Sequence, residues 1–228
     1  MQIARFWWTV VPAALVVAGL AWAADEKKAG AGDPKTDQPA EAKPAAVKIG
    51  HDAPDFTLLD CDGKRHKLSD HKDSVVALVW VNKECPWSRK ANPVVKEVYE
   101  KYAGKGVTWL AIDSTYGRKA EEDDKYVDDE KLPFKILMDE DGKVGKLYGA
   151  KVTPHIYVIN KGKLVYMGGL HNDQQGTKPK AEFRNYLDEA LTAVLAGKDV
   201  PLAETTPWGC KVGYKDAGKG AGPAKDKP

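Results

Sequence analysis

Between residues 48 and 212 the chain alternates unbroken apolar runs with stretches whose apolar positions recur every three or four residues. Val75 to Val81 (V-V-A-L-V-W-V) is the longest such β-branched run, the pattern of a central strand covered on both faces. Directly after it, Trp87, Ala91, Val94, Val95, Val98 and Tyr102 fall at helical spacing up to Gly104, and Pro93 within that stretch predicts a kink. Val107 to Asp113 reads as a second buried strand, Ala120 to Lys131 as an acidic, exposed helix or loop, and Phe134 to Asp139 as a short third strand before the turn Asp141-Gly142. His155 to Asn160 and Lys163 to Met167 are two strands joined by Lys161-Gly162. Phe183, Tyr186, Leu187, Ala190, Leu191, Val194 and Leu195 then lay out one face of a last helix, ending at Gly197. At the front, Phe56–Leu59 and Arg65–Leu68 flank the turn residues Asp60-Cys61-Asp62-Gly63, which predicts a β-hairpin with Cys61 at its tip. Strand and helix alternating, then a hairpin and a closing helix, gives an α/β class with a mixed central sheet.

The pattern fails at both ends. Residues 1–23 read as an export signal, with Arg5 ahead of the uncharged run Phe6 to Leu20 and the small-x-small site Ala21-Trp22-Ala23 behind it. The uncharged run from Phe6 to Ala23 is close to the lower length limit of a spanning helix, so an uncleaved membrane anchor is the alternative. Both readings put the domain in an exported, oxidising compartment, periplasmic or extracellular, where disulfides persist. Residues 24–47, rich in Ala, Lys, Asp and Pro and without apolar period, are expected to be a disordered linker, and residues 213–228 a disordered tail. That leaves 48–212 as one folded domain.

Of the 228 residues, 43% are hydrophobic and 30% charged, which suits one globular domain with less structured ends. A net charge of +2, without a basic patch interleaved with aromatics, sets nucleic acid aside as a partner. Three cysteines make neither a disulfide scaffold nor a paired zinc site, and the five histidines show no metal spacing. No metal and no cofactor are expected, and at least one thiol stays unpaired within the monomer.

Cys85 carries the candidate chemistry. It stands between the predicted central strand and the predicted helix, and Pro86 suits a first helical position, where a missing N–H costs nothing. Unpaired backbone N–H groups and the positive end of a helix dipole favour a thiolate there, and a free thiol of pKa ~8.5 drops to roughly 3.5–7.5 in such places. Lys83, Arg89 and Lys90 are expected to push the same way and Glu84 to oppose them. Cys61, between Asp60 and Asp62, has neighbours that disfavour a thiolate.

A hairpin, a strand ending in Cys85-Pro86, the pair Thr153-Pro154 before V-T-P-H-I-Y-V-I continues as a strand, V-Y-M-G-G-L-H-N-D at Val165 to Asp173, and the ending P-W-G-C-K-V at Pro207 to Val212 together resemble the thioredoxin superfamily. Within it, the span 48–212 is similar to the peroxiredoxin-like redoxins of the AhpC/TSA type. The resemblance implies a thioredoxin-like fold in which Pro154 is a cis-proline facing the active cysteine and the Thr153 backbone pairs with an extended substrate. Pro86 and Trp87 would line the same substrate site. Two departures matter. Ser88 stands where a Cys-x-x-Cys motif has its second cysteine, so the motif cannot close its own disulfide, although the Ser88 hydroxyl is placed to donate to a Cys85 thiolate. Leu78 and Asn82 replace the proline and threonine of the peroxiredoxin motif, which counts against efficient peroxidase chemistry.

The resulting expectation is an exported thiol-disulfide oxidoreductase with Cys85 as nucleophile, acting on protein or small-molecule thiols and disulfides. A weak thiol peroxidase and a non-enzymatic tethered module binding peptides along Thr153-Pro154 are the alternatives. Cys210, in a segment broken by Pro207 and Gly209, is the candidate resolving thiol, with a structural Cys61–Cys210 bridge as the rival pairing. His155, beside Pro154, is a candidate proton donor to the thiol.

Overall fold

The computed structural model describes residues 47–215. The expected signal or anchor (1–23), nearly all of the linker and the tail beyond Lys215 lie outside the described residues. In chain order the elements are strands β1 (Thr57–Asp60), β2 (Arg65–Lys67) and β3 (Val75–Trp80), helix α1 (Pro86–Tyr102), β4 (Val107–Asp113), α2 (Ala120–Glu130), β5 (Ile136–Met138), α3 (Lys143–Tyr148), β6 (Val152–Thr153), β7 (His155–Asn160), β8 (Lys163–Gly168), α4 (Tyr186–Leu195) and β9 (Cys210–Lys211).

Seven strands form one mixed sheet in the order β2-β1-β5-β4-β3-β7-β8. Strand β3 runs parallel to β4 and antiparallel to β7, so it sits centrally between two full-length partners. Every residue of β3 is buried, and its period of two divides them between two cores. Val75, Ala77 and Val79 pack on the face that holds Ala91, Val95 and Val98 of α1, Tyr126 and Val127 of α2, and Leu187, Ala190, Leu191 and Val194 of α4. Val76, Leu78 and Trp80 pack on the other face with Phe56, Val144 and Tyr148. The unbroken apolar run is thus explained by burial on both sides.

The turn Lys161-Gly162 takes positive φ at both residues (48° and 77°), the backbone of a two-residue hairpin loop, and binds β7 to β8. Helix α1 continues through Pro93 to Tyr102, so the proline does not end it. Helix α2 corrects the expectation of an exposed acidic segment. Asp123, Tyr126 and Val127 are buried, because one face of the helix closes over the core while Glu121, Asp128 and Asp129 keep its other face wet. Phe183 precedes α4 rather than belonging to it; the helix starts after Asn185, whose side chain caps the Asp188 N–H at 3.1 Å, and the Phe183 ring packs on His171 instead.

Three elements have no counterpart in the apolar pattern: α3 and the paired short strands β6 and β9. The two strands form a separate antiparallel sheet with Val152 opposite Lys211 and Thr153 opposite Cys210. The chain remains ordered past the expected boundary at 213, because Tyr214 packs against Gly142 and Gly145 and donates to the Ala150 carbonyl at 2.7 Å.

Candidate active site

Strand β3 ends at Trp80, and the link to α1 is built by Asn82. Its Oδ1 accepts the Glu84 N–H at 2.7 Å, its carbonyl accepts the Cys85 N–H at 3.1 Å, and its own N–H donates to Ser88 Oγ at 3.3 Å. This turn delivers Cys85 as the residue capping α1, in extended backbone geometry, with Pro86 at the first helical position. No side chain caps the helix there, so its first N–H groups face the sulfur region.

The structure brings Cys85, Pro86, Trp87, Ser88, Thr153, Pro154 and Cys210 together. The Thr153-Pro154 peptide is cis. Cys85 Sγ donates to the Thr153 carbonyl at 3.0 Å, and Cys210 pairs with Thr153 in the β6–β9 ladder. The Cys210 side chain lies close enough to Cys85 to influence its ionisation, and both thiols are free. Trp87 meets Trp208 edge to face at 6.1 Å, and Lys90 lies over the Trp87 ring.

Cys85 is only 2% exposed, and burial pushes its thiol acidity down, that is, its pKa up. Hydrogen bonds outweigh that. The Cys210 thiol and the backbone N–H groups of Ser88 and Cys210 favour the charged sulfur, and the net pKa lies below the ordinary thiol value. Cys210 moves the opposite way, pushed up to about 12 by burial and by the neighbouring Cys85. One thiol of the pair is thereby set to ionise and the other to hold its proton. Thr153 Oγ1 is buried with no hydrogen-bond partner among the described residues.

Several expectations about this neighbourhood change. The Ser88 hydroxyl receives the Asn82 N–H, and it is the Ser88 backbone N–H that serves Cys85. Lys83 pairs with Glu122 at 2.9 Å, Arg89 with Glu130, and Lys90 donates to the Gln175 carbonyl at 2.7 Å, so the basic side chains are engaged elsewhere. The helix terminus and the second thiol do the work assigned to them. His155 Nδ1 is engaged with the Tyr157 hydroxyl at 3.1 Å and the Lys151 N–H at 3.3 Å, and burial lowers its pKa to about 4. It is neutral at physiological pH and lacks the imidazolium proton that a general acid would give. Cys61 is hydrogen-bonded to Asp124 at 3.5 Å, while Cys210 lies against Cys85.

Behind the Asn82 turn lies a network that nothing in the sequence pattern marks. Arg118, its side chain 3% exposed, donates to Asn82 Oδ1 at 3.3 Å and to Asp113 Oδ2 at 3.2 Å, and pairs with Glu84 at 3.4 Å. Asp123 lies 3.8 Å from Arg118 Nε, and no hydrogen bond from the described residues reaches either of its oxygens. Burial, then the charge of Asp113, raises the Asp123 pKa to about 8, so its carboxyl is largely neutral at pH 7. The residues of this network come from β4, the loop after it and α2, and only the fold joins them.

A mixed sheet with a cysteine at the start of α1, a cis-proline beside the carbonyl that takes its S–H, and a second cysteine paired to that same residue defines a thioredoxin-like protein. The model of the AhpC/TSA family matches residues 49–167, and the chain belongs to that family. The matched span contains Cys85 and Thr153-Pro154, and Cys210 follows it. The thiol-disulfide oxidoreductase ResA of Bacillus cereus is 30% identical over 151 residues, covering 64% of this chain and 80% of that protein. An uncharacterized conserved protein of Geobacillus kaustophilus superposes with a TM-score of 0.66 at 28% identity, over 75% of this chain and 94% of that one. The thioredoxin domain of a thiol-disulfide oxidoreductase from Bacteroides vulgatus gives 0.50 at 26% identity, over 57% and 93%.

Proposed function

We propose that the protein is a thiol-disulfide oxidoreductase in which Cys85 is the nucleophile and Cys210 the resolving thiol. The observation that carries this reading is the placement of Cys210 opposite Thr153, the residue whose carbonyl takes the Cys85 S–H at 3.0 Å, together with a lowered Cys85 pKa and a raised Cys210 pKa. The similarity to oxidoreductases of the same reaction class supports it.

The Cys85 thiolate attacks one sulfur of a substrate disulfide. A Cys85–substrate bond forms, the substrate S–S bond breaks, and the departing thiolate takes up a proton. The negative charge on Cys85 disappears in that step, and with it one cause of the high Cys210 pKa. Cys210 then loses its proton more readily, attacks Cys85 Sγ, and displaces the second substrate thiol. The protein finishes oxidised by two electrons and the substrate reduced by two. Run in reverse, the same steps oxidise a substrate dithiol. With a peroxide, Cys85 passes instead through a sulfenic acid, and Cys210 displaces water.

Brief treatment of the reduced protein with oxidised glutathione or hydrogen peroxide, followed by peptide mapping, tests the assignment. Wild type should yield a Cys85–Cys210 peptide, and Cys210→Ser should accumulate a Cys85 mixed disulfide or sulfenic acid. Absence of the Cys85–Cys210 peptide, or equally fast recovery of Cys85 in the variant, removes the resolving role.

Export is part of the same proposal and rests on Arg5, the run Phe6 to Leu20 and Ala21-Trp22-Ala23. Among the described residues, no helix is long and apolar enough to cross a membrane. The mass of the protein recovered from its native host decides between cleavage near Ala24 and a retained anchor.

A further inference from the structure

The segment that brings Cys210 to Cys85 also covers the backbone edge that an extended substrate would use. Among the described residues β6 pairs only with β9, and the Cys210 backbone lies opposite Thr153. An exposed strand edge recruits an extended peptide through main-chain hydrogen bonds. Here the chain supplies that strand itself.

The strap is anchored along its length. At its start the Thr205 N–H donates to the Met167 carbonyl at 3.1 Å, and Thr205 Oγ1 accepts the Gly169 N–H at 2.9 Å. Midway, Trp208 Nε1 donates to the His171 carbonyl at 2.8 Å while its ring meets Trp87 and His171. Beyond Cys210, the Val212 N–H donates to the Lys151 carbonyl at 3.1 Å. Gly209 lets the two backbones approach: its φ is 142°, and a Cβ there would stand 2.0 Å from the Thr153 carbonyl oxygen. Ordinary side chains cannot occupy that position.

We infer that residues 205–211 act as an internal occupant of the substrate edge at Thr153, and that the site therefore selects small disulfides over polypeptide disulfides. This rests on the exchange reading of Cys85 and Cys210. A polypeptide needs the Thr153 edge, and the strap must leave for it to pair; yet a displaced strap takes Cys210 away from the sulfur it has to attack. A small disulfide needs only a path to Cys85 Sγ and leaves the ladder in place. Segments of one chain meet at an effective concentration of about millimolar, so a polypeptide of equal pairing strength at micromolar concentration is at a roughly thousandfold disadvantage.

The test uses full-length protein with Cys210→Ser, so that only the first exchange is read, alone and combined with Gly209→Ala or Trp208→Ala. Reduced protein is mixed with oxidised glutathione or with insulin, and the Cys85 mixed disulfide is quantified by mass spectrometry over time; circular dichroism verifies folding. Gly209→Ala should accelerate the reaction with insulin at least tenfold and that with oxidised glutathione less than threefold, and Trp208→Ala should shift the ratio the same way. Equal acceleration of both probes, or no acceleration with insulin in either folded variant, overturns the inference and leaves the exchange reading standing. A Cys85 that forms no mixed disulfide with either probe in any of these proteins overturns both.

Discussion

Cys85 and Cys61 each lie near a cation set among carboxylates, yet their thiols shift in opposite directions. At Cys61 the cation is Lys135, on the surface, paired with Asp62 at 3.2 Å and Asp124 at 2.8 Å. Burial raises the Cys61 pKa first, and Asp124, which accepts its S–H, raises it further. At Cys85 the cation is the buried Arg118, and it does not act on the sulfur. It holds Asn82, Asn82 holds the turn, and the turn sets Cys85 over the N–H groups of α1. Cys85 is the more buried of the two thiols and still the more acidic. Donors at the sulfur, rather than exposure or nearby charge, separate the more acidic thiol from the less acidic one here.

The comparison breaks most visibly in activity. Cys85→Ser should abolish reduction of a disulfide substrate, by roughly a thousandfold or more. Cys61→Ser should stay within about twofold of wild type, given the usual near-neutrality of substitutions away from a site. A comparable loss in the two variants, measured as steady-state disulfide reduction, would put Cys61 in the chemistry.

The supporting networks come next. Arg118→Met strips the pairing from Asp113 and releases Asn82, and breaking a buried ion pair costs about 3–5 kcal/mol. Lys135→Met removes an exposed pair and should leave the denaturant midpoint unchanged. Chemical unfolding of both proteins measures the contrast. An Arg118 variant as stable as wild type would mean that the turn before Cys85 holds itself.

Alkylation of the three thiols against pH sharpens the comparison at the sulfurs. Cys85, its pKa lowered, should reach half-maximal rate at a lower pH than a free thiol, and Cys61, its pKa raised, at a higher one. As pH rises, Cys85 becomes thiolate first. Coincident midpoints would remove the argument for an activated nucleophile.

The smallest effect is expected from Asp124→Asn. Loss of the carboxylate that accepts the Cys61 S–H should lower the Cys61 midpoint and leave that of Cys85 where it was. A simultaneous shift at Cys85 in the same alkylation series would show that the two regions communicate.

The pattern of apolar residues was enough to place β3 at the centre of an α/β sheet, because a strand covered on both faces has no polar alternation to hide. It also placed Cys85 on a helix terminus, since Pro86 directly after a strand suits the first position of a helix. Local chemistry sufficed in both cases. Tertiary structure alone decided that Cys210 reaches Cys85, that its strand lies on Thr153, and that Arg118, Asp113 and Asp123 back the turn. Residues 125 positions apart leave no periodic mark when they meet, and β6 and β9 hold only two residues each, too few to show a period. The same holds for α2, whose acidic composition reads as surface although Asp123 is buried. Burial of a carboxyl depends on what the other elements place around it, and no residue's own neighbours in sequence carry that information.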